Sequence, residues 1–347
     1  MSTFDETKAD FEEEDDEFIE NLQIKVDPGQ SFMRLDKYLS HHLKNISRNR
    51  IQNAIDSESV KVNGASVKSS YKVKPLDDIL LSLVKSGKIP KEVIPQDLPL
   101  NIVYEDDDVL LVNKAQEMVV HPGHGNPSGT LVNALVYHFG HLPSARDGEI
   151  RPGLVHRIDK GTSGLLVIAK NEFALQFLAR QFADHTTERT YYALIWGEPK
   201  EPKGTINAHI GRGFKDRRVS DVFPDGEHGK EAITHYEVLK TMRYVSLIKC
   251  NLETGRTHQI RAHMKYLGHP LFNDAAYGGD RILRGEIFSK YKQFVENCFS
   301  LMPRQALHAK SLGFIHPTTR QWMQFDSELP ADFQAVLDKW EHYLQYK

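Results

Sequence analysis

Strand-like segments outnumber helical ones in the last two thirds of the chain, and this imbalance restricts the fold more than any other feature. Apolar or alternating runs predict strands at NIVYEDDDVLLVNK, GLLVIAK, TYYALIWG, HYEVLK and YVSLIKCNL. Helical spacing occurs at NEFALQFLARQFADH, at THQIRAHMKYLG and in a later amphipathic segment with Ile287, Tyr291 and Val295 on its apolar face. Because strands and helices do not alternate regularly, a doubly wound parallel sheet is disfavoured. We predict an α+β fold with a mixed, largely antiparallel sheet flanked by helices.

A smaller unit precedes this region. Leu35, Leu39 and Leu43 recur at every fourth position, which predicts a helix with one buried face, and Ser47 fits the N-cap of a second helix. VKVNG and DILLSLV then predict short strands. The expected organisation is a disordered acidic tail at 1–20, a small domain at 32–84, a linker at 85–99 and a large domain at 100–345.

Charge is distributed unevenly along the chain. Residues 1–20 contain ten acidic residues and one lysine, and such a self-repelling, apolar-poor segment is typical of a disordered tail whose simplest role is solubility. Without the tail the chain has 43 basic and 37 acidic residues. Between positions 34 and 74 there are nine basic residues and only three acidic ones. This density suits phosphate groups. A solvated helix face would explain scattered lysines, but it explains the cluster of Arg48, Arg50, Lys61 and Lys68 less well.

Length and composition exclude several classes of protein. At 347 residues the chain is long enough for one large domain and a smaller companion. No apolar run approaches the roughly 18 residues of a membrane helix, and the N-terminus lacks the basic and apolar regions of a secretory signal. Cys250 and Cys298 are too few for a disulfide framework or a four-thiolate metal site. We therefore expect a soluble, cytoplasmic protein.

Familiar catalytic motifs are missing from the sequence. There is no GxxxxGK[ST] phosphate loop, no GxGxxG motif and no GxSxG elbow, so nucleotide hydrolysis and serine-based catalysis are disfavoured. The 17 histidines include His121 with His124, and His258 with His263 and His269, but neither group has the HExxH spacing of a zinc site. We expect no metal site.

Two segments remain as candidates for chemistry, HRIDKGTSG at 156–164 and ETGRTHQIRAHMKYLGHP at 253–270. In the first, Asp159 lies on a turn before a buried strand, where a carboxylate can be fixed and still face a cleft. In the second, Arg256 and Arg261 lie near the start of a helix. If both converge on Asp159, they hold it ionised at neutral pH, as a nucleophile or base requires. Spacing alone favours a structural ion pair, and both interpretations stay open.

The small domain resembles the S4-type RNA-binding domain, whose pattern of RLDxxL, SR and VxVNG is matched in order. The resemblance implies that this domain grips RNA. The residues that we expect to contact RNA are Arg34, Lys37, Ser47, Arg48, Arg50, Lys61 and Lys68.

The large domain resembles the RluA-type pseudouridine synthases. HRIDKGTSGLL matches their HRLDxxTSGL signature, and the second segment matches TGRTHQIRxHxxxxGHP. Further matches are NK at 113–114, VVHPG at 119–123, RTYYALIWG at 189–197 and RQALHA at 304–309. Within the family, the chain is most similar to the RluD-like branch that modifies 23S ribosomal RNA. The resemblance implies isomerisation of uridine to pseudouridine in RNA, without a cofactor or a metal.

The resemblance also implies roles for individual residues. The family's nucleophilic aspartate falls on Asp159, its active-site tyrosine on Tyr191 and its basic partner on Arg261. Ile260 would contact the base, and Arg157 would help to hold a nucleotide that is flipped out of its helix. The other residues expected to bind the substrate are His156, Thr162 and Arg256.

Two positions depart from the family pattern. The usual KPxG is replaced by Lys114-Ala115-Gln116-Glu117, which removes a rigid proline and a glycine from that loop. The usual GD after GHP is replaced by Asn273-Asp274, and asparagine tolerates left-handed backbone angles better than most residues.

Three other functions remain as alternatives to a monomeric synthase for 23S ribosomal RNA. One is a noncatalytic RNA-binding or ribosome-assembly factor, against which the presence of both Asp159 and Tyr191 argues. The second is a synthase that acts on transfer RNA. The third and weakest is a metal hydrolase built on the histidines.

Overall fold

The computed structural model describes residues 19–44, 46–84, 93–123, 125–140 and 153–345. The expected acidic tail lies outside the described residues except for its last two positions, Ile19 and Glu20, which begin the first strand. His124 also lies outside them. No helix in these ranges is long and apolar enough to cross a membrane.

The described residues fold into strands and helices of mostly short length. The strands are β1 (Ile19–Lys25), β2 (Met33–Arg34), β3 (Val60–Val62), β4 (Ala65–Ser66), β5 (Lys72–Val73), β6 (Asp78–Val84), β7 (Ile102–Glu105), β8 (Val109–Lys114), β9 (Ser163–Ala169), β10 (Glu188–Trp196), β11 (Lys203–Asn207), β12 (His209–Arg212), β13 (Ser220–Phe223), β14 (Ile233–Met242), β15 (Val245–Leu252), β16 (Leu307–Ile315) and β17 (Trp322–Asp326). The helices are α1 (Leu35–His42), α2 (Arg48–Asp56), α3 (Leu131–Phe139), α4 (Glu172–Ala183), α5 (Gln259–Tyr266), α6 (Ser289–Leu301) and α7 (Ala331–Gln345), with a short 3-10 helix at Ala275–Tyr277.

The N-terminal unit packs α1 and α2 against a four-stranded antiparallel sheet of order β1-β6-β3-β4. Leu35 and Leu39 are fully buried in its core, and Ser47 caps α2 by accepting the Arg50 backbone N–H at 3.3 Å, as predicted. The unit includes residues before the expected start at 32, because β1 (Ile19–Lys25) pairs with β6 along its whole length.

The large unit is built on a nine-stranded sheet of order β11-β14-β15-β10-β16-β9-β8-β7, with β17 paired to β16. Its neighbouring strands are antiparallel except for β9 and β16, which confirms the mixed, largely antiparallel α+β fold. β9 is buried along its whole length because alternate residues enter two cores. Leu166 and Ile168 face one core, and Leu165 and Val167 face the other.

The amphipathic segment after residue 285 forms α6, but the helix begins later than its apolar pattern suggests. Tyr291 and Val295 are buried, whereas Ile287 precedes the helix and is 68% exposed. The buried face of α6 packs with Phe333 and Trp340 of α7 in a third core. The sequence patterns described above did not predict α7 or α3.

The expected linker at 85–99 is described only from Val93 onward, and that part packs against the large unit. Val93 is buried in the core. The side chain of Asn133 donates to the Ile94 carbonyl at 2.8 Å, and the side chain of Gln96 accepts the Gly129 N–H at 2.6 Å. These contacts anchor residues 93–96 to the start of α3, so they are part of the large unit rather than a free connection.

Helix α4 connects the two units. Arg180 donates to the Ser57 carbonyl at 2.9 Å, and the side chain of Gln176 accepts the Val84 N–H at 3.4 Å. Ile19 and Val84 enter the same apolar core as the buried face of α4. The N-terminal unit is thus fixed directly against the large unit.

Gly164 allows β9 to approach β16 closely, and this gives a prediction about stability. Gly164 has φ 118°, and an added Cβ would lie 2.2 Å from the Ala309 carbonyl oxygen. We expect Gly164→Ala to lower the free energy of unfolding by roughly 3 kcal/mol or more, since both the backbone conformation and the strand pairing are disturbed. Gly268→Ala is the control: its φ of 82° is also positive, but no atom lies within 4 Å of the added Cβ. Its cost should be only about 1 kcal/mol, and equal losses in chemical denaturation would contradict this explanation.

Candidate active site

Asp159 lies on the turn that leads into β9, and hydrogen bonds hold this turn on several sides. The Thr162 N–H donates to the Asp159 carbonyl at 3.0 Å. The next two carbonyls, at positions 160 and 161, accept from Lys114 at 3.2 Å and from Arg304 at 2.9 Å. Because three successive carbonyl groups have donors, the backbone of the turn is fixed and the carboxylate has a defined direction.

The two basic residues that hold the turn are themselves buried and anchored. Arg304 donates to both oxygens of Asp332, at 2.7 and 2.9 Å. The Lys114 ammonium also donates to the carbonyls of Ala115 and Met118, at 2.8 and 2.7 Å. Burial lowers the pKa of Lys114 to about 7, although the charge of Asp159 opposes this effect. With a carbonyl acceptor for each of its three donors, the protonated form fits the site best.

Arg261 joins Asp159 to a second carboxylate. Its Nη1 donates to Asp159 Oδ2 at 2.9 Å, while Nε and Nη2 donate to the two oxygens of Asp274 at 2.7 and 2.8 Å. The guanidinium also lies 5.0 Å from the ring of Tyr277. Burial alone would lower the pKa of Arg261, but the hydrogen bonds and charges of the two carboxylates raise it. The two-point bond to Asp274 fixes the plane of the guanidinium and aims one N–H at Asp159.

The electrostatics of the site favour an ionised Asp159. Burial alone would raise the pKa of its carboxyl group, but the charges of His258, Arg261 and Arg157 together hold it below its usual value. Burial lowers the pKa of His258 itself, so that ring is neutral at neutral pH and gives little stabilisation there. Arg261 is always charged and donates directly to the carboxylate. Asp159 therefore remains ionised at neutral pH mainly because of Arg261.

Tyr191 and Ile260 share a cavity with Asp159 and Arg261. Tyr191 comes from β10 and is 8% exposed, and burial raises the pKa of its hydroxyl group, which is therefore protonated at neutral pH. Ile260 comes from α5 and contributes an apolar wall. The cavity has a volume of about 290 Å³ and also includes Arg157 and His258. It combines one carboxylate with a phenol, an apolar wall and several basic groups.

Arg256 forms no ion pair with Asp159 in the described part of the chain, so of the two arginines considered above only Arg261 converges on that carboxylate. The Arg256 Nε donates instead to the Glu231 carbonyl at 3.0 Å. His258 lies closer, with Nε2 at 3.9 Å from the Asp159 carboxylate. The left-handed backbone of His258, at φ 57°, turns the chain just before α5, so residues 258 and 261 face the turn of β9.

Three other residues expected to bind the substrate also have partners within the protein. Arg157 lines the cavity and donates to the Thr257 hydroxyl at 2.9 Å. His156 accepts the Val167 N–H at 3.1 Å and is buried, and burial lowers the pKa of its ring to about 3. Thr162 is 1% exposed and bonds to Gln305 at 3.3 Å. All three residues line the cavity, and the hydrogen bonds of His156 and Thr162 also support the turn and the strand that follows it.

The two departures from the family pattern both fall on left-handed residues. Glu117 stands where the family has glycine and has φ 64°, and Asn273 likewise replaces glycine and has φ 56°. The Asn273 amide donates to the carbonyls of Phe299 and Met302, at 3.1 and 2.7 Å. Asparagine therefore preserves the turn that presents Asp274, as its tolerance of such angles suggested.

The residues expected to contact RNA divide into two groups in the structure. Arg34, Lys37, Arg48 and Lys68 are exposed. The guanidinium groups of Arg34 and Arg48 lie 2.9 and 4.0 Å from the carboxylate of Asp36, so the starts of α1 and α2 present basic groups together.

The second group of expected RNA contacts has structural partners. Ser47 caps α2, and Arg50 donates to the Val84 carbonyl at 2.6 Å, close to the contact between the two units. Lys61 is half-buried on β3. Ser47 and Arg50 therefore have roles within the fold, and their contacts with RNA, like that of Lys61, stay predictions.

Sequence reasoning missed two groups beside Asp159. Asp274 could have been noticed, because an acidic residue follows the GHP segment in the family pattern. Nothing in its spacing, however, indicated that it would accept hydrogen bonds from Arg261. His258 was considered only as a possible metal ligand. It bonds to the Tyr277 hydroxyl at 3.1 Å, whereas His263 bonds to Thr234.

A different group of potential metal ligands, Asp106, Asp108 and His316, lies together in the structure. The Asp106 carboxylate accepts the backbone N–H groups of Asp108 and Val109, each at 2.8 Å. His316 Nδ1 accepts two backbone N–H groups, so its proton is on Nε2 and is donated to Asp106 at 2.9 Å. These bonds describe an anchored turn, and the group is separate from the cavity.

Comparisons with known proteins point to one family. Residues 108–266 match the model described as RNA pseudouridylate synthase, and residues 33–79 match the S4 domain. An uncharacterized RNA pseudouridine synthase of Chlorobaculum parvum is 47% identical, over 92% of this chain and 97% of the relative. Ribosomal large subunit pseudouridine synthase D of Zymomonas mobilis is 43% identical, over 87% and 92%. The structure of human RNA pseudouridylate synthase domain containing 1 has a TM-score of 0.51 and 25% identity, covering 73% of this chain and 97% of that one.

The bond between Arg261 and Asp274 gives a prediction about stability. In Asp274→Asn the buried guanidinium loses its two-point carboxylate partner, so we expect the free energy of unfolding to fall by roughly 3–5 kcal/mol. Asp216→Asn is the control, because it removes the 2.8 Å ion pair with Arg218 in which both side chains are exposed; solvent screens that pair, so its loss should change the free energy of unfolding far less. Denaturant titration measures both variants. A loss for Asp274→Asn no larger than for Asp216→Asn would show that the buried pair does not stabilise the site.

Proposed function

The chain belongs to the RluA-type RNA pseudouridine synthases and carries an S4 domain before its synthase domain, and from this we propose that it isomerises specific uridines of 23S ribosomal RNA with Asp159 as the nucleophile. RNA binding is assigned to residues 19–84 and catalysis to residues 100–345. The observation that carries the proposal is the carboxylate of Asp159, held ionised in a cavity by Arg261 at 2.9 Å.

An ionised carboxylate in this position suits the reaction. Pseudouridine formation breaks the bond between C1′ and N1, which leaves an electron-poor sugar. A carboxylate can capture or stabilise such a sugar, as glycosidases do. Because Asp159 lies on a fixed turn and carries its charge at neutral pH, it is ready to do so without a preceding proton transfer.

The other cavity residues are assigned to the base and its nucleotide. A uridine must leave its helix to bring C1′ to Asp159, and the cavity of about 290 Å³ beside that carboxylate supports such a flipped nucleotide. Tyr191 would stack on the uracil and could move a proton through its protonated hydroxyl. Ile260 would contact the other side of the ring, and Arg157 would hold the flipped nucleotide.

The proposed substrate rests on the N-terminal unit and on one relative. Exposed Arg34, Lys37, Arg48 and Lys68 would contact phosphates, which would make RNA binding salt-dependent. The Zymomonas mobilis relative is named as a large-subunit ribosomal synthase, which favours 23S ribosomal RNA over transfer RNA. We further propose that the protein acts as a cytoplasmic monomer on the assembling large subunit, without a cofactor or a metal.

Tritium release tests the substrate and the nucleophile together. RNA that carries 5-tritiated uridine loses tritium when C5 bonds to C1′, so we expect release from 23S ribosomal RNA and little from transfer RNA. Asp159→Asn should lower the rate by roughly 10⁴-fold or more, because it removes the attacking group. Its RNA affinity should stay within a few-fold of the wild type, as measured by filter binding.

Each arm of this experiment has its own contradicting result. Full activity of Asp159→Asn would exclude Asp159 as the nucleophile. Release from transfer RNA alone would move the substrate to transfer RNA. No release from either RNA, with binding retained, would favour a noncatalytic RNA-binding protein.

A further inference from the structure

Arg189 is a buried cation in the catalytic cavity to which the proposed mechanism gives no role. It lies on β10 two residues before Tyr191, so both side chains project from the same face of the strand. Its side chain is among those that line the cavity with Asp159. The residue is only 8% exposed, and its guanidinium lies 5.6 Å from the ring of Phe182.

The hydrogen bonds of Arg189 leave part of its guanidinium unused. Nη2 donates to the carbonyls of Glu253 and Leu252, at 2.7 and 3.4 Å. Nε is buried without an acceptor, and Nη1 makes no hydrogen bond within the described part of the chain. Gly255 leaves room for this second amino group, since a Cβ there would lie 2.7 Å from Nη1.

Arg189 also lacks a carboxylate partner among the described residues. Burial lowers the pKa of its guanidinium, and the hydroxyl of Tyr191 is the acidic group that opposes this effect. An isolated buried charge is costly, which is why such groups are normally paired. Where one persists in a cavity, a ligand of opposite charge is the natural partner.

The reaction generates such a charge on the base. When the bond between C1′ and N1 breaks, its electron pair stays on N1, so the uracil is released as an anion with charge shared by O2 and O4. The sugar is meanwhile captured by the carboxylate or loses a proton from C2′. The base then turns, and C5 bonds to C1′ as the bond between C1′ and the carboxylate oxygen breaks, or as C2′ regains its proton if the sugar had lost it. The C5 proton then leaves and N1 takes up a proton. During the turn the detached base has no covalent link, and its negative charge must be stabilised by the cavity.

We propose that Arg189 contacts the uracil and neutralises the charge of the detached base. The inference rests on the proposed function, because it takes Tyr191 as the residue that stacks on the uracil. A guanidinium on the same strand face reaches the edge of a ring stacked on that tyrosine. In the intact nucleotide the guanidinium donates to a neutral carbonyl oxygen of the uracil. Once the bond between C1′ and N1 breaks, that oxygen carries negative charge and the same hydrogen bond becomes an ion pair. Arg189 therefore binds the base more strongly after bond cleavage than before.

The position of Arg189 favours the base over a phosphate as its partner. Its neighbours are the rings of Phe182 and His156, which stack on each other at 4.4 Å. A phosphate of the RNA backbone needs hydration and suits more exposed groups, such as half-buried Arg157 and Arg256. An aromatic pocket with one cation suits a planar ring that becomes an anion.

The test compares two bases in the same RNA under single-turnover conditions. The substrates are a 23S ribosomal RNA transcript and the same transcript made with 5-fluorouridine, and the readout is the rate at which the target nucleoside disappears, measured after nuclease digestion. Arg189→Met should lower the rate for uridine about 100-fold or more, as removal of a charge-stabilising donor does. With 5-fluorouridine the fold decrease in rate caused by Arg189→Met should be at least ten times smaller, because fluorine withdraws electrons and itself stabilises the free anion.

Two further variants separate charge from structure. Arg189→Lys keeps the cation and should lose less activity on uridine than Arg189→Met. Arg189→Gln is neutral but keeps a donor for the Glu253 carbonyl, and it should show the same dependence on fluorine as Arg189→Met. If Arg189→Met does not fold, as judged by its thermal transition, Arg189→Gln gives the result.

The proposal is overturned if the neutral variants lose equal activity on the two bases, since that is the outcome of a purely structural bond to the loop after β15. It is also overturned if the neutral variants keep wild-type rates, or if only their RNA affinity falls. Failure of the proposed function looks different, because the wild type itself would then convert neither transcript.

Discussion

The ionised chain of Asp159, Arg261 and Asp274 is the interaction on which the site depends. A carboxylate placed alone in an apolar cavity would take up a proton, because burial penalises its charged form. Arg261 opposes this protonation by donating to the Asp159 carboxylate at 2.9 Å, and Asp274 accepts two hydrogen bonds from the other edge of the guanidinium. One guanidinium between two carboxylates leaves a net negative charge on the group. Of the two carboxylates, Asp159 is the one that lines the cavity.

The fold brings these three groups together from segments that are far apart in the sequence. Asp159 and Arg261 are 102 residues apart, and the turn of one meets the first turn of a helix that carries the other. The turn is fixed from behind by Arg304 and Lys114, which come from different parts of the chain. The close pairing of β9 and β16 at Gly164 determines how near this turn lies to the sheet. The geometry of the site therefore depends on how the sheet packs.

Sequence reasoning reached the fold class and the two motifs because both are local signals. Continuous apolar runs predicted strands such as β9, and four-residue spacing predicted α5, which carries Arg261. The sequence patterns did not predict β1, because the pairing of Ile19–Lys25 with a strand more than fifty residues away has no local signature. They also could not decide whether Arg256 joins Arg261 at Asp159, since spacing does not reveal the left-handed turn at His258. Long-range partners such as Asp274 become visible only when the chain is folded.

The pKa of Asp159 tests the central claim most directly. Carbon-13 NMR of protein labelled at the aspartate carboxyl groups, with Asp159→Asn to identify the resonance, follows this one group as pH falls. The account predicts that the resonance remains that of a carboxylate down to a pH below the ordinary aspartate value of about 3.9. A resonance that titrates well above that value would show that burial outweighs Arg261. It would contradict the view that this protein holds its carboxylate ionised for catalysis.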